Sequence, residues 1–184
     1  MRYIPAKNFD DKWEEGAARM RASCESAELP SKFLYFNDDF FVMQPIEEIP
    51  ILHLGSLWHH IERYQMANKY EKSLLSTYEF LQNRKTAIKT PPISYETHLP
   101  LPIEKSGMLD AIRDAAALRR PQYRSLYGNL CGIGGTPASD VKIFSKTAYA
   151  PYGPFASTDD SSFKEGVIGE QLRATFSKPC RYEK

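Results

Sequence analysis

With 184 residues, 42% of them hydrophobic and 26% charged, the chain has enough apolar material for one core and too little length for two full domains. Its formal net charge of +1, with acids and bases mixed along it, gives no reason to expect nucleic acid as a partner. No run approaches the roughly 20 consecutive apolar residues of a membrane span, Met1 to Pro5 has no secretion signal, and a cytoplasmic location is expected. Cys24, Cys131 and Cys180 are odd in number, far apart and without CxxC spacing, so they read as reduced thiols.

Taken in chain order, Asp10 or Asp11 caps a first helix running to about Ser26, with Trp13, Ala17, Met20 and Cys24 on one face. Leu29-Pro30-Ser31 ends it. Phe33 to Asn37 is the first strand, an apolar run, and Phe40 to Met43 resumes extended structure until Pro45. Gly55 or Ser56 opens a helical region through about Arg84, hinged near Ala67-Asn68. Thr90-Pro91-Pro92 breaks it, and the prolines of Tyr95 to Ile103 make that stretch an edge strand or a stiff loop. Glu104 to Leu118 is another amphipathic helix, with Met108, Leu109, Ile112 and Ala116 inward. Gly128 to Gly135 reads as flexible, Val141 to Phe144 as a short strand, Ala148 to Pro154 as a loop and Ser162 to Phe176 as a final helix.

Three places carry residues suited to chemistry. The first is Asn37-Asp38-Asp39, where two carboxylates follow a strand. Such hard oxygen donors suit Mg²⁺ or Mn²⁺ carrying a diphosphate better than they suit zinc, and a polar turn between two strands fits the same residues. The second is His98, an imidazole on a proline-stiffened segment, able to act as a general base towards a hydroxyl or to serve as a half-buried structural histidine. His59 and His60 are adjacent on a helix, point about 100° apart and cannot chelate one ion together. The third is the stretch from Tyr123 to Asn129 with the later Asp140-Val141-Lys142. There Arg124 and Lys142 are candidate phosphate partners, and Asn129 is grouped with them as substrate-binding. Gly132 to Gly135 lacks the spacing and the lysine of a P-loop and reads as a plain loop.

Together these blocks resemble the Stealth family of sugar-phosphate transferases. KFLYFNDDFFVMQPI at Lys32 to Ile46 is similar to the family's NDD block, ETHLPLPIEK at Glu96 to Lys105 to its His-x-Pro block, and YRSLYGNL with DVKI to a third; a closing Phe-x-x-Pro-x-x-Tyr-Glu follows at Phe176 to Glu183. Similar blocks occur in small glycosyltransferase-like proteins of phages. The resemblance implies an α/β fold, the C-terminal part of a glycosyltransferase (GT-A-like) fold with a small mixed sheet flanked by helices. It also implies a nucleotide-sugar donor, a metal held by Asp38 and Asp39, catalytic roles for Asp39 and His98, and phosphate contact by Arg124. One departure stands at the front, where only about thirty residues precede the NDD block. Each βαβ unit takes roughly 30 residues, so residues 1–184 are expected to form a single transferase domain without most of the nucleotide-binding half.

The expected function is metal-dependent transfer of a sugar or sugar-1-phosphate from a nucleotide-sugar donor to a hydroxyl acceptor, a glycan among others. Nucleic acid enters only if the acceptor is a phage nucleobase. The alternative is a non-catalytic binding or assembly module, or one half of a split transferase whose other chain supplies the nucleotide site.

Overall fold

A computed structural model describes residues 10–84, 91–150 and 153–178. Helix α1 (Lys12–Glu25) starts where the Asp11 side chain accepts the Trp13 N–H at 2.9 Å, satisfying one of the orphan donors of a helix start. It buries Met20 and Cys24. Strand β1 (Lys32–Tyr35) follows, and strand β2 (Phe40–Val42) resumes after the Asn37-Asp38-Asp39 turn.

Strand β3 (Leu52–His53) leads to helix α2 (Leu57–Ile61), capped by Ser56, and then helix α3 (Lys69–Asn83). The expected hinge lies at Asn68, whose side chain and Glu71 form a reciprocal capping box. Strand β4 (Leu101–Glu104) runs into helix α4 (Lys105–Asp114), which buries Met108, Ala111 and Ile112. Lys105 Nζ donates to the Ser26 and Leu29 carbonyls at 2.5 Å each and so ties α4 to the end of α1.

Helix α5 (Tyr123–Leu130) was not expected from sequence, because Gly128 and the glycines after it argue against a helix. Strands β5 (Thr136–Pro137), β6 (Lys142–Ile143) and β7 (Phe155–Thr158) come next. The expected last helix is two, α6 (Asp160–Glu165) and α7 (Val167–Thr175), broken at Gly166, whose backbone is extended.

The strands form three small sheets rather than one. β1 pairs antiparallel with β4, Phe33 opposite Ile103. β7 lies between β2, antiparallel, and β6, parallel. β3 and β5 make a short parallel pair. The architecture is therefore mixed α and β, with small sheets flanked by helices.

Two hydrophobic clusters hold it. The larger gathers Met20, Leu57, Leu74, Tyr95, Leu101, Ile103, Met108 and Leu126; the smaller gathers Ile143, Ile168 and Leu172. Each fully buried aliphatic side chain is worth about 1.5–3 kcal/mol. Among the described residues no helix is long and apolar enough to cross a membrane. Cys24 is buried, and burial pushes its thiol up to about 11, as an inert structural cysteine requires. Cys180 and most of the closing Phe176 to Glu183 segment lie outside the described residues.

Candidate functional site

A cleft of about 520 Å³ opens between α1, the end of β1, the segment before β4 and the start of α5. All three blocks border it: Asn37 from the first, Glu96, Thr97 and His98 from the second, Tyr123, Arg124 and Asp140 from the third. Trp13, Tyr35, Tyr64 and Tyr70 supply aromatic wall.

His98 is held at two atoms by one carboxylate. Its Nδ1 lies 2.7 Å from Asp140 Oδ2, and its backbone N–H donates to Asp140 Oδ1 at 3.0 Å. Burial pushes the Asp140 carboxyl up, but the hydrogen bonds and charge of His98 outweigh it and hold the group below its ordinary value. An ionised carboxylate only accepts, so Nδ1 carries the hydrogen, and in the neutral ring Nε2 is the basic atom. The ring is further fixed by Phe40, edge-on at 6.2 Å between centroids. Asp140 is the partner that sequence reasoning missed: it lies 42 residues from His98, and no local spacing announces such a pair.

Because the folded-state pKa of Asp140 is depressed, its contribution to stability is full above the unfolded value of 3.8 and is lost as pH falls through the lower folded value. Acid titration of the unfolding midpoint is therefore expected to show a loss below about pH 4 that is smaller in Asp140→Asn. An unchanged acid limb in that variant would contradict the assignment.

Arg124, only 8% exposed, braces the same segment. Its Nε donates to the Tyr95 carbonyl at 2.9 Å, and its Nη2 to Thr97 Oγ1 at 3.0 Å and the Leu99 carbonyl at 2.6 Å, bonds that straddle His98. Burial pulls the guanidinium below its ordinary value, against the favourable charge of Glu96. It forms no ion pair with another described residue and rests near the rings of Tyr35 and Phe40 at about 6 Å. A buried cation beside an open cleft, with Glu96 and Asp140 acting on it only at a distance and no described carboxylate paired to it, is a candidate anion partner. Glu96 turns instead to α5, accepting from the Ser125 N–H at 3.0 Å and its hydroxyl at 2.8 Å.

The other expected residues lie elsewhere. Asn129 is buried and fully engaged: it accepts from the Ile93 N–H at 2.8 Å and donates to the Ile93 and Ser125 carbonyls at 2.7 Å. It therefore fastens the 91–95 segment to α5 and does not border the cleft. Asp38 and Asp39 line a second hollow of about 200 Å³ with Phe41, Thr158, Asp159, Asp160 and Phe163. Lys142, expected on phosphate, forms an ion pair with Asp39 Oδ2 and donates to the Thr158 carbonyl at 2.5 Å. The polar-turn reading of Asn37 to Asp39 is realised in the backbone, where the Phe40 N–H donates to the Asn37 carbonyl at 3.3 Å.

As donors for a hard divalent ion the acids of the second hollow are chemically suitable, and Asp39 Oδ1 is buried without a hydrogen-bond partner. Among the described residues, however, no three His, Cys, Asp or Glu groups stand together as an ion would need. Lys142 supplies the positive charge in the meantime. Lys142→Met is expected to cost about 1–3 kcal/mol in urea unfolding, since it strips a partly buried carboxylate of its cation; a change within about 0.5 kcal/mol would show the pair to be unimportant.

No protein-family model and no curated protein matches the chain.

Proposed function

We propose that the cleft carries out transfer of a sugar or sugar-1-phosphate from a nucleotide-sugar donor to a hydroxyl, as a member of the Stealth family with part of a GT-A-like fold. The observation that carries this reading is His98, oriented by Asp140 at 2.7 Å, in one cleft with the buried cation Arg124. The convergence of all three motif blocks on that cleft supports the family likeness.

In this mechanism the acceptor hydroxyl approaches His98 Nε2, which takes its proton as the oxygen attacks one of two donor atoms. Attack at the anomeric carbon breaks its bond to oxygen and releases nucleoside diphosphate; attack at the sugar-linked phosphorus breaks the bridging P–O bond and releases nucleoside monophosphate. Asp140 keeps the imidazole in the tautomer that can take the proton and stabilises the imidazolium. Arg124 offsets charge on the phosphate, and by bracing Tyr95, Thr97 and Leu99 it fixes the base. Mg²⁺ or Mn²⁺ would be held by Asp38 and Asp39 and would supply charge neutralisation for the leaving nucleotide. Lys142 is paired with Asp39.

A second reading, a non-catalytic module or half of a split transferase, is favoured by one specific observation: acids and imidazole line different cavities, and Asp39 is already paired with Lys142. Calorimetric titration with UDP- or CDP-sugars and Mn²⁺ separates the two. Saturable heat that chelator removes is expected of the enzyme; silence at about 1 mM ligand favours the module.

A further inference from the structure

His60 is an imidazole of the cleft that the transfer chemistry leaves unused. It stands near the end of α2, only 5% exposed, and borders the cleft together with His98 and Arg124. Its Nδ1 lies 2.8 Å from Ser94 Oγ and its Nε2 3.3 Å from the Tyr64 hydroxyl. Both partners are hydroxyls, which donate or accept as required, so the ring keeps its two contacts whether neutral or charged. A second imidazole thus sits buried in the wall of an anion-suited cleft, built to tolerate either state.

The groups facing it come from every neighbouring element. Tyr64 and Tyr70 flank the ring at 5.5 and 6.5 Å between centroids. Burial is the largest influence and holds the imidazole below its ordinary 6.5; Arg63 and His98 act in the same direction, and Asp140 opposes them. A neutral ring near pH 7 follows, since the charge of Asp140 does not outweigh burial, Arg63 and His98.

We infer that His60 takes up a proton from solvent when a phosphate-like dianion enters the cleft, becoming beside Arg124 the second cation that holds it. Both ring N–H groups then donate to Ser94 and Tyr64, and the Tyr64 hydroxyl is left free to give its own hydrogen to the anion. Dianions are thereby favoured over monoanions, and their affinity rises as pH falls. This rests on the reading of the cleft as an anion site.

Sulfate is the suitable probe, because its charge is constant over the range in which imidazole titrates. Wild-type affinity for sulfate is expected to rise about tenfold between about pH 7.5 and about pH 5.5. The NMR signals of the His60 ring nitrogens should move to their protonated positions when sulfate is added near pH 6.5. His60→Gln should bind sulfate without that pH dependence, whereas His98→Gln should retain it. If sulfate binds equally at both pH values and His60 stays neutral in its presence, or if His60→Gln keeps the tenfold rise, the inference is overturned while the anion cleft stands. No sulfate binding by wild type at about 50 mM at either pH would overturn both. The wild-type NMR arm decides the matter even if His60→Gln does not fold.

Discussion

His98→Gln is expected to lower the rate of sugar or sugar-phosphate transfer by about 10³-fold with little change in KM, because a positioned general base contributes 10²–10⁴-fold and glutamine has no lone pair basic enough to replace Nε2. Asp140→Asn should cost about 10²-fold. The amide at position 140 can present an N–H to Nδ1 and so favour the tautomer with the hydrogen on Nε2, which leaves nothing to accept the acceptor's proton. The bond at 2.7 Å and the second hold on the His98 N–H at 3.0 Å fix the position of the ring at the cleft. Initial-rate kinetics of both variants against wild type, with near-ultraviolet circular dichroism to confirm packing, checks the pair. Transfer at wild-type rate by His98→Gln would remove His98 from the chemistry and move the search to His60, the other imidazole in the same cleft.

Gly128→Ala is the second substitution with a large expected effect, and its sign is decided by magnitudes. Within α5, alanine should gain about 1 kcal/mol over glycine from helix propensity alone. A Cβ at this position, however, would lie 2.3 Å from Tyr95 Cε2 and 2.4 Å from its Cδ2. Tyr95 is 1% exposed, its hydroxyl donates to the Gly134 carbonyl at 2.7 Å, and its N–H donates to Ser125 Oγ at 3.1 Å, so the ring has no free direction in which to yield. Overpacking of a tight core costs about 1–3 kcal/mol, occasionally more. A net loss of about 2 kcal/mol in urea unfolding is expected, together with reduced transfer, since the Tyr95 carbonyl also receives Arg124 and leads directly to His98. A gain in stability would mean that α5 and the Tyr95 segment are not packed as described.

How much of this was legible beforehand follows from how local each signal is. The start of α1 at Asp11 and the hinge at Asn68 rest on caps whose donors lie two or three residues away, and both were readable from sequence. The stiffness of the Tyr95 to Ile103 stretch followed from its prolines. α5 was hidden because Gly128 is there for Tyr95, a contact 33 positions away that no propensity encodes. β7 was hidden because its four residues are all buried and show no alternation.

The same reasoning separates the residues of the candidate site. His98 and Arg124 were found by residue type and do border one cleft. Lys142 was assigned by charge alone, and the carboxylate it pairs with, Asp39, lies 103 residues earlier. His60 was set aside because neighbouring helix positions cannot share an ion; that argument is sound for chelation and says nothing about a cleft formed with residues 94 and 124. Asn129 has the right chemistry for a ligand, but the unpaired backbone of Ile93 claims it first.

The short turn between β1 and β2 shares its polar side chains between two cavities. Asn37 borders the large cavity, while Asp38 and Asp39, its immediate neighbours, border the small one. The two strands on either side are anchored in separate sheets, β1 on β4 and β2 on β7. Fastened at both ends in this way, the turn works as a partition, with the carboxamide in one chamber and the carboxylates in the other.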